Sequence, residues 1–388
     1  MRASMIRELV ATTKCIPGLI SFAGGFPSPL TFPREILAKM YSEVILENGN
    51  DILQYGSSDG DTILKQELKK WEGMPDLPDS EILITSGATN GIYLYVKSLI
   101  ESNDVIIIEA PSFLGSLIAF EGMSAKLVGI ELDEEGIRTD LLEESFKKHG
   151  KKIKFLYLIP EFQNPSGITM TTARRKQVLE IASHYGVPIL EDVPYEALRY
   201  SGEKPDSLYK MSKDSHPGLV TLIKSFSKIL GPGLRLAYAI GHKELITKMG
   251  LWMQKVNVSV DCVTQRAVAR MMSKGLLKPH IESIQAFYKP LRDTMLAALE
   301  KYMPETVSWT VPDGGMFIWV FLPEQLNADE LFVSARENRV AFIPGSKFYP
   351  LGSETYNALR LNFSYPTAEQ INTGVERLAH IIKEASGK

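Results

Sequence analysis

The chain has 388 residues, of which 44% are hydrophobic and 23% charged, and 43 Lys and Arg stand against 46 Asp and Glu for a formal net charge of −3. That length suffices for two domains, or one large domain with an appended lobe, and for a closed active site. The slightly acidic balance argues against a nucleic-acid or membrane-surface partner, and two cysteines, Cys15 and Cys262, cannot form a disulfide framework. The six histidines are scattered without ligand-like spacing, so no metal site is expected. Residues 1–10 lack the apolar core of a signal peptide, and no apolar run is long enough to span a bilayer. A cytoplasmic location is expected.

In chain order, residues 12–34 are rich in Gly, Pro and Ser and read as an extended arm. From about residue 80 to 245, apolar runs at 82–85, 105–108, 126–130, 155–159, 187–190, 220–223 and 236–240 are spaced along the chain. Helical patterns near 89–101, 112–122 and 172–185 separate several of them. Continuous β-branched runs separated by helices predict an α/β fold with a mostly parallel sheet flanked by helices. Ligands of such sheets bind beyond the carboxyl ends of the strands. An amphipathic stretch follows, with Ile284, Phe287, Tyr288, Leu291, Met295 and Leu299 at helical spacing. It leads to a smaller C-terminal lobe. The expected division is a large domain over 46–279, with 1–45 and 280–388 forming the arm and a smaller α/β domain.

The ends of the predicted strands carry residues able to hold a ligand. Gly87, Ala88 and Thr89 follow the first strand, where backbone N–H groups at a helix start bind phosphate, or where the chain simply turns. Phe113 follows the second and can stack on an aromatic ring or pack in the core. Asn164 stands before Pro165 as a donor and acceptor, or as part of a plain turn. Asp192 ends a buried strand and needs a partner, either a protonated ring nitrogen or a protein cation. Tyr195, three residues on, can reach the same ligand. Residues 225–235 then set Lys228 beside Ser225 and Ser227, with Arg235 across a Gly-Pro-Gly turn. A lysine amine condenses with an aldehyde, and hydroxyls and a guanidinium bind phosphate. Pyridoxal phosphate satisfies both demands; a Ser-rich surface loop is the alternative.

Taken together, the ordered segments resemble the fold type I pyridoxal-phosphate aminotransferases of class I/II. Within them the chain is most similar to the branch of 2-aminoadipate and kynurenine aminotransferases. The likeness extends to Ile6-Arg7-Glu8-Leu9, Ser21-Phe-Ala-Gly-Gly25-Phe-Pro27, Leu53-Gln-Tyr55-Gly, Pro312-Asp-Gly-Gly-Met-Phe-Ile-Trp319, Pro344-Gly345 and Leu359-Arg360-Leu-Asn-Phe-Ser364. The resemblance implies that Lys228 carries the cofactor and moves the substrate proton. It implies that Asp192 keeps the pyridine nitrogen protonated, that Asn164 and Tyr195 bond the phenolic oxygen, and that Phe113 stacks on the ring. Gly87, Ala88, Thr89, Ser225, Ser227 and Arg235 match the phosphate cup. Tyr55 resembles a tyrosine that serves the neighbouring subunit, which implies a homodimer with shared active sites. Arg360, with the Gly25 backbone nearby, matches the holder of the substrate α-carboxylate. Arg7 is placed to read a distal side-chain carboxylate.

The implied reaction moves an amino group from an L-amino acid (2-aminoadipate, kynurenine or another aromatic) to a 2-oxo acid such as 2-oxoglutarate. Ala88, where relatives often carry Ser, Thr89, Val193 and Glu161 depart from the family pattern at positions that bear on cofactor affinity and substrate preference. Two other functions share much of the motif set. A β-lyase acting on cysteine conjugates would use the same Lys228. An aminotransferase-like sensing domain of a transcription regulator would carry a DNA-binding segment ahead of the arm, whereas here the arm pattern begins within the first ten residues.

Overall fold

The computed structural model describes residues 16–353 and 355–387. Arg7 and Cys15 lie outside the described residues. The arm opens with β1 (Ile20–Ser21) and continues without regular structure to a single 3-10 turn at Pro29–Thr31, as its Gly and Pro content predicts.

The large sheet contains β2 (Ile82–Thr85), β3 (Val105–Ala110), β4 (Lys126–Asp133), β5 (Gly136–Ile137), β6 (Ile153–Leu158), β7 (Ile189–Val193), β8 (Val220–Ser225) and β9 (Ala237–Ile240). Their order across the sheet is β2-β9-β8-β7-β6-β3-β4-β5. All seven predicted apolar runs are strands. The ladder from β8 through β7, β6 and β3 to β4 is parallel, whereas β9 runs against both β2 and β8 and β5 runs against β4. The helices Ala88–Leu99, Leu114–Glu121 and Thr172–Tyr185 occupy the predicted helical stretches. The last starts at Thr171, whose hydroxyl accepts the Arg174 N–H, and stops at Gly186 in the left-handed region (φ +64°), the expected asymmetry of helix ends.

A second core surrounds a smaller antiparallel sheet of β10 (Ser308–Trp309), β11 (Phe317–Phe321), β13 (Ile343–Pro344) and β14 (Ala358–Asn362), ordered β10-β11-β14-β13. The arm strand β1 pairs in parallel with β12 (Val340–Ala341) at its side. The predicted amphipathic stretch is one helix, Leu277–Tyr302. Its Ile284 and Tyr288 pack in the large core, and Met295, Ala298 and Leu299 in the small one. That helix therefore spans both cores. Met40, Val44 and Ile52 of the helix Arg34–Ile52 pack in the large core.

The chain reverses direction across the sheet between β3 and β6. From β3 it passes outward to β4, and from β6 inward through β7 to β8. A crevice opens at such a point beyond the carboxyl ends of the strands. Beneath it, Phe155 on β6 is fully buried and meets Tyr95 and Phe120 edge-on, at centroid distances of 5.0 and 5.7 Å. Phe155→Ala should cost about 3–5 kcal/mol of stability, the range for a buried phenylalanine lost from a packed core. Urea unfolding followed by circular dichroism measures it, and a cost below about 1 kcal/mol would mean that the core closes over the gap.

Candidate active site

A cavity of about 530 Å³ occupies the crevice beyond the strand ends. β7 delivers Asp192 to its floor, and the turn after β7 delivers Tyr195. The turn after β6 brings Asn164, the segment after β3 brings Phe113, and the first turn of Ala88–Leu99 brings Ala88 and Thr89. The end of β8 and its following turn supply Ser225, Ser227, Lys228 and Arg235. The small sheet contributes Arg360 from β14 and the arm contributes Gly25. Residues far apart in sequence thus meet because each strand of a parallel ladder ends on the same side.

Asp192 is buried. Its Oδ2 accepts the Tyr157 hydroxyl at 2.8 Å, and Tyr157 in turn accepts from the Ser116 hydroxyl at 2.8 Å. Oδ1 has no partner among the described residues. Burial pushes the Asp192 carboxyl up to about 6, against the Tyr157 hydroxyl and the Lys228 charge, which pull it down. Lys228 Nζ donates to the Gly25 carbonyl at 3.1 Å. Burial, followed by the positive charges of Arg360 and Arg235, lowers the Lys228 ammonium to about 8, with Asp192 opposing.

Arg360 is almost fully buried and joins all three parts of the fold. Its Nη1 donates to Asn164 Oδ1 at 2.9 Å and its Nη2 to the Ala23 carbonyl of the arm at 2.8 Å, while Nε has no partner among the described residues. Phe317 and Phe348 flank the guanidinium at 4.2 and 5.0 Å from their ring centres. Asn164 passes the contact on, donating from Nδ2 to the Tyr195 hydroxyl at 3.2 Å. Burial raises the Tyr195 phenol, with the Arg360 charge opposing.

At the other end of the cavity, Arg235 takes a left-handed backbone (φ +48°) and donates from Nη2 to the Ser86 carbonyl at 3.2 Å. Gly87 also has positive φ (+85°), and a Cβ there would collide with the Arg235 guanidinium. The positive φ favours glycine there, and the absent side chain lets the Arg235 guanidinium lie close against the backbone. The Ser225 hydroxyl accepts the Ser227 N–H at 3.1 Å and so shapes the turn into Lys228.

The sequence-predicted residues thus converge, with three exceptions. Gly87 is not in the lining itself but lies against the Arg235 guanidinium. Tyr55 is 83% exposed and does not line the cavity of its own subunit, and Arg7 lies outside the described residues. Sequence reasoning missed Tyr157 and Ser116, which hold the acid on the floor. Their signal was a hydroxyl within the apolar run 155–159 and another between the apolar residues Leu114 and Leu117. It also missed Glu109, whose Oε2 accepts the Ile159 N–H at 2.9 Å and Gln163 Nε2 at 3.3 Å. Burial pushes the Glu109 carboxyl up to about 8, the Ile159 and Gln163 donors opposing. It anchors the turn that carries Asn164.

The family model described as aminotransferase class I and II matches residues 18–378. The chain belongs to the class I and II aminotransferases. It is 41% identical over its whole length to aromatic-amino-acid aminotransferase 1 of Thermococcus litoralis, covering 93% of that protein. It is 35% identical over 99% of its length to the 2-aminoadipate transaminase of Thermus thermophilus, covering 94% of that protein. Its structure matches kynurenine aminotransferase from Pyrococcus horikoshii, solved in complex with PMP, with a TM-score of 0.94 and 40% identity over 99% of this chain and 95% of that one. As an aminotransferase the protein uses pyridoxal phosphate and moves an amino group between an amino acid and a 2-oxo acid.

The residues fit that cofactor on three points. The partnerless Asp192 oxygen suits a protonated ring nitrogen. Lys228 is poised to lose its proton near neutrality. Two serines, a helix start and Arg235 converge at one end of the cavity, where the Arg235 guanidinium lies close against the Gly87 backbone. Arg360, whose Nε has no partner among the described residues, adds a cation to the lining of the same cavity.

Two measurements test these electrostatics. Only the neutral amine attacks an aldehyde, so cofactor-free protein should load pyridoxal phosphate at a rate that rises with pH to half its plateau near about 8. A rate independent of pH around that point, by stopped-flow absorbance, would remove the burial argument. Asp192 can pair with a ring N–H only when ionised, that is, above its pKa. Tyr157→Phe removes a hydrogen bond that favours the ionised form, so the acid limb of the kcat/KM profile should move up by about one pH unit. An unmoved acid limb would show that Asp192 does not set it.

Proposed function

We propose that this aminotransferase takes aromatic and other large apolar L-amino acids as its preferred donors, with 2-oxoglutarate as acceptor. The observation that carries the reading is the wall of the cavity. Beyond the polar groups it is formed by Phe26, Ile92, Leu114, Ile118 and Ile159, a surface that rewards burial of apolar side chains. Among the described lining residues the cations are Lys228, Arg235 and Arg360, and each has a role in the reading that follows. The relatives named for aromatic amino acids and kynurenine at 40–41% identity support the same choice.

When bound, the cofactor supplies an electron sink that stabilises negative charge at the substrate Cα. Asp192 Oδ1 holds its ring nitrogen protonated, which strengthens that sink. Asn164 and Tyr195 hold the phenolic oxygen, and Phe113 lies against the ring. Gly87, Ala88, Thr89, Ser225, Ser227 and Arg235 hold the phosphate. Arg360, backed by the arm at Ala23 and Gly25, takes the substrate α-carboxylate as a fork. Lys228, released as a neutral amine, takes the proton from Cα and returns it at the carbon that receives the amino group. The arm and the wall keep water from that step. Arg7 is the residue offered to the distal carboxylate of an acidic acceptor. The exposure of Tyr55 suits a side chain that completes a neighbouring subunit's phosphate site, so the working form is a homodimer.

A donor panel of phenylalanine, kynurenine, leucine, alanine, glutamate and 2-aminoadipate against 2-oxoglutarate tests the reading. Phenylalanine and kynurenine should exceed alanine in kcat/KM by roughly tenfold or more, the discrimination available to an apolar pocket. Glutamate or 2-aminoadipate outrunning both would overturn the choice of donor. Lys228→Ala should abolish turnover with every donor. Pyruvate release from a cysteine conjugate without any acceptor would mark β-lyase chemistry instead.

A further inference from the structure

Lys224 and Glu196 have no role in the site described above, yet each is the chain neighbour of a residue that lines it. Ser225 and Tyr195 line the active cavity, whereas Lys224 and Glu196 line a second cavity of about 690 Å³. For Lys224 and Ser225 this follows from strand geometry, since successive side chains point to opposite faces of a sheet.

Lys224 Nζ reaches Glu72 Oε2 at 2.7 Å and Glu196 Oε1 at 2.6 Å. The Tyr238 hydroxyl donates to the second Glu72 oxygen at 2.5 Å, and Lys204 pairs with the second Glu196 oxygen at 3.1 Å. The Lys224, Glu72 and Glu196 side chains are only 8%, 9% and 12% exposed. The bridge joins the end of the helix Thr62–Trp71, which Glu72 caps, to β8, β9 and the turn after β7. Its strand contacts are fixed by register, because Lys224 lies opposite Tyr238 on one side and Val193 on the other.

The desolvation cost of a buried ion pair offsets much of its Coulombic gain, so such a bridge is poor evidence of a device for stability. It does impose geometry. Tyr195 needs such support. Among the described residues its hydroxyl is held by one side-chain contact, from Asn164, and its ring meets Phe317 edge-on at 5.7 Å. The charges that act on Lys228 are those of Arg360, Arg235 and Asp192, so the influence of Lys224 runs through the backbone of its neighbours.

We propose that Lys224 is a positioning residue for the reaction. Through Glu196 it fixes the turn that carries Tyr195, and so sets the Tyr195 hydroxyl at the cofactor, while the Glu72 limb only anchors Lys224. The inference rests on the reading of Tyr195 as a ligand of the cofactor's phenolic oxygen.

The test compares holoenzyme variants by the pH midpoint of the bound cofactor's visible absorbance, by kcat and KM, and by thermal midpoint. A hydroxyl donating to the phenolic oxygen favours its anionic form, so losing that bond raises the absorbance midpoint. Tyr195→Phe should raise it by about one pH unit. Glu196→Ala leaves Lys224 paired with Glu72. It should raise the midpoint in the same direction by roughly half as much and lower kcat by about threefold to tenfold, with KM little changed. Glu72→Gln leaves the Lys224–Glu196 pair in place. It should lower the thermal midpoint without moving the absorbance midpoint, and Lys224→Arg, which keeps the cation, should retain the wild-type midpoint. A shift with Tyr195→Phe but none with Glu196→Ala overturns this inference and leaves the reading of Tyr195 standing. No shift with Tyr195→Phe removes that reading and this inference with it. Equal shifts from Glu196→Ala and Glu72→Gln would show general loosening, and would also overturn it.

Discussion

A carboxylate taken out of water must be paired or neutralised. Asp192 meets that demand only in part. The floor of the cavity gives one of its oxygens the Tyr157 hydroxyl and leaves the other with no partner among the described residues. The site depends on that incompleteness. The free oxygen calls for a cationic hydrogen-bond donor, and a protonated pyridine nitrogen is a planar donor of the right kind. The nearby Lys228 is charged below about pH 8 and neutral above it. The same burial therefore acts on both residues in opposite senses. It raises the Asp192 carboxyl and lowers the Lys228 ammonium, bringing both toward neutral pH.

Arg360 distributes a comparable constraint over the whole molecule. It arises from the small sheet, bonds Asn164 of the large one and bonds the arm at Ala23. An arginine buried between two phenylalanine rings must use its N–H groups on protein or on ligand. Two contacts are made by protein, which fixes the guanidinium plane, and three of the five N–H groups, that of Nε among them, have no partner among the described residues. Because Asn164 also contacts Tyr195, the group that would hold the substrate is connected through two side chains to a group that would hold the cofactor. The long helix Leu277–Tyr302 gives this arrangement its frame, since it packs in both cores.

The buried polar groups behind the cavity follow one pattern. Glu109 anchors the turn of Asn164, Tyr157 anchors Asp192, and the Glu72–Lys224–Glu196 bridge lies behind Tyr195. Each is a polar group one shell away from a residue in the cavity. Such networks cost desolvation and return a fixed geometry, and reactions that depend on orientation benefit from it.

The sequence by itself determined the strands, the principal helices and most of the cavity residues. Strand runs are short and apolar because both faces of a parallel sheet are covered, and polar residues such as Asp192, Asn164 and Ser225 follow them where the chain reaches the cavity. That signal is local, so it survives in one dimension. Even the shift of β7 to Ile189–Val193, beyond the run at 187–190, has a local cause in Pro188, which has no N–H for a ladder. Only the tertiary structure decided the rest. An apolar run carries no direction, so nothing in residues 236–240 shows that β9 runs against both its neighbours. Lys224 and Glu72 are 152 positions apart, and the predicted run at 220–223 stops one residue short of Lys224. Tyr157 read as strand core until Asp192 lay beside it. Contacts of this kind depend on which elements pack together, and that is set by burial of the whole chain rather than by any segment of it.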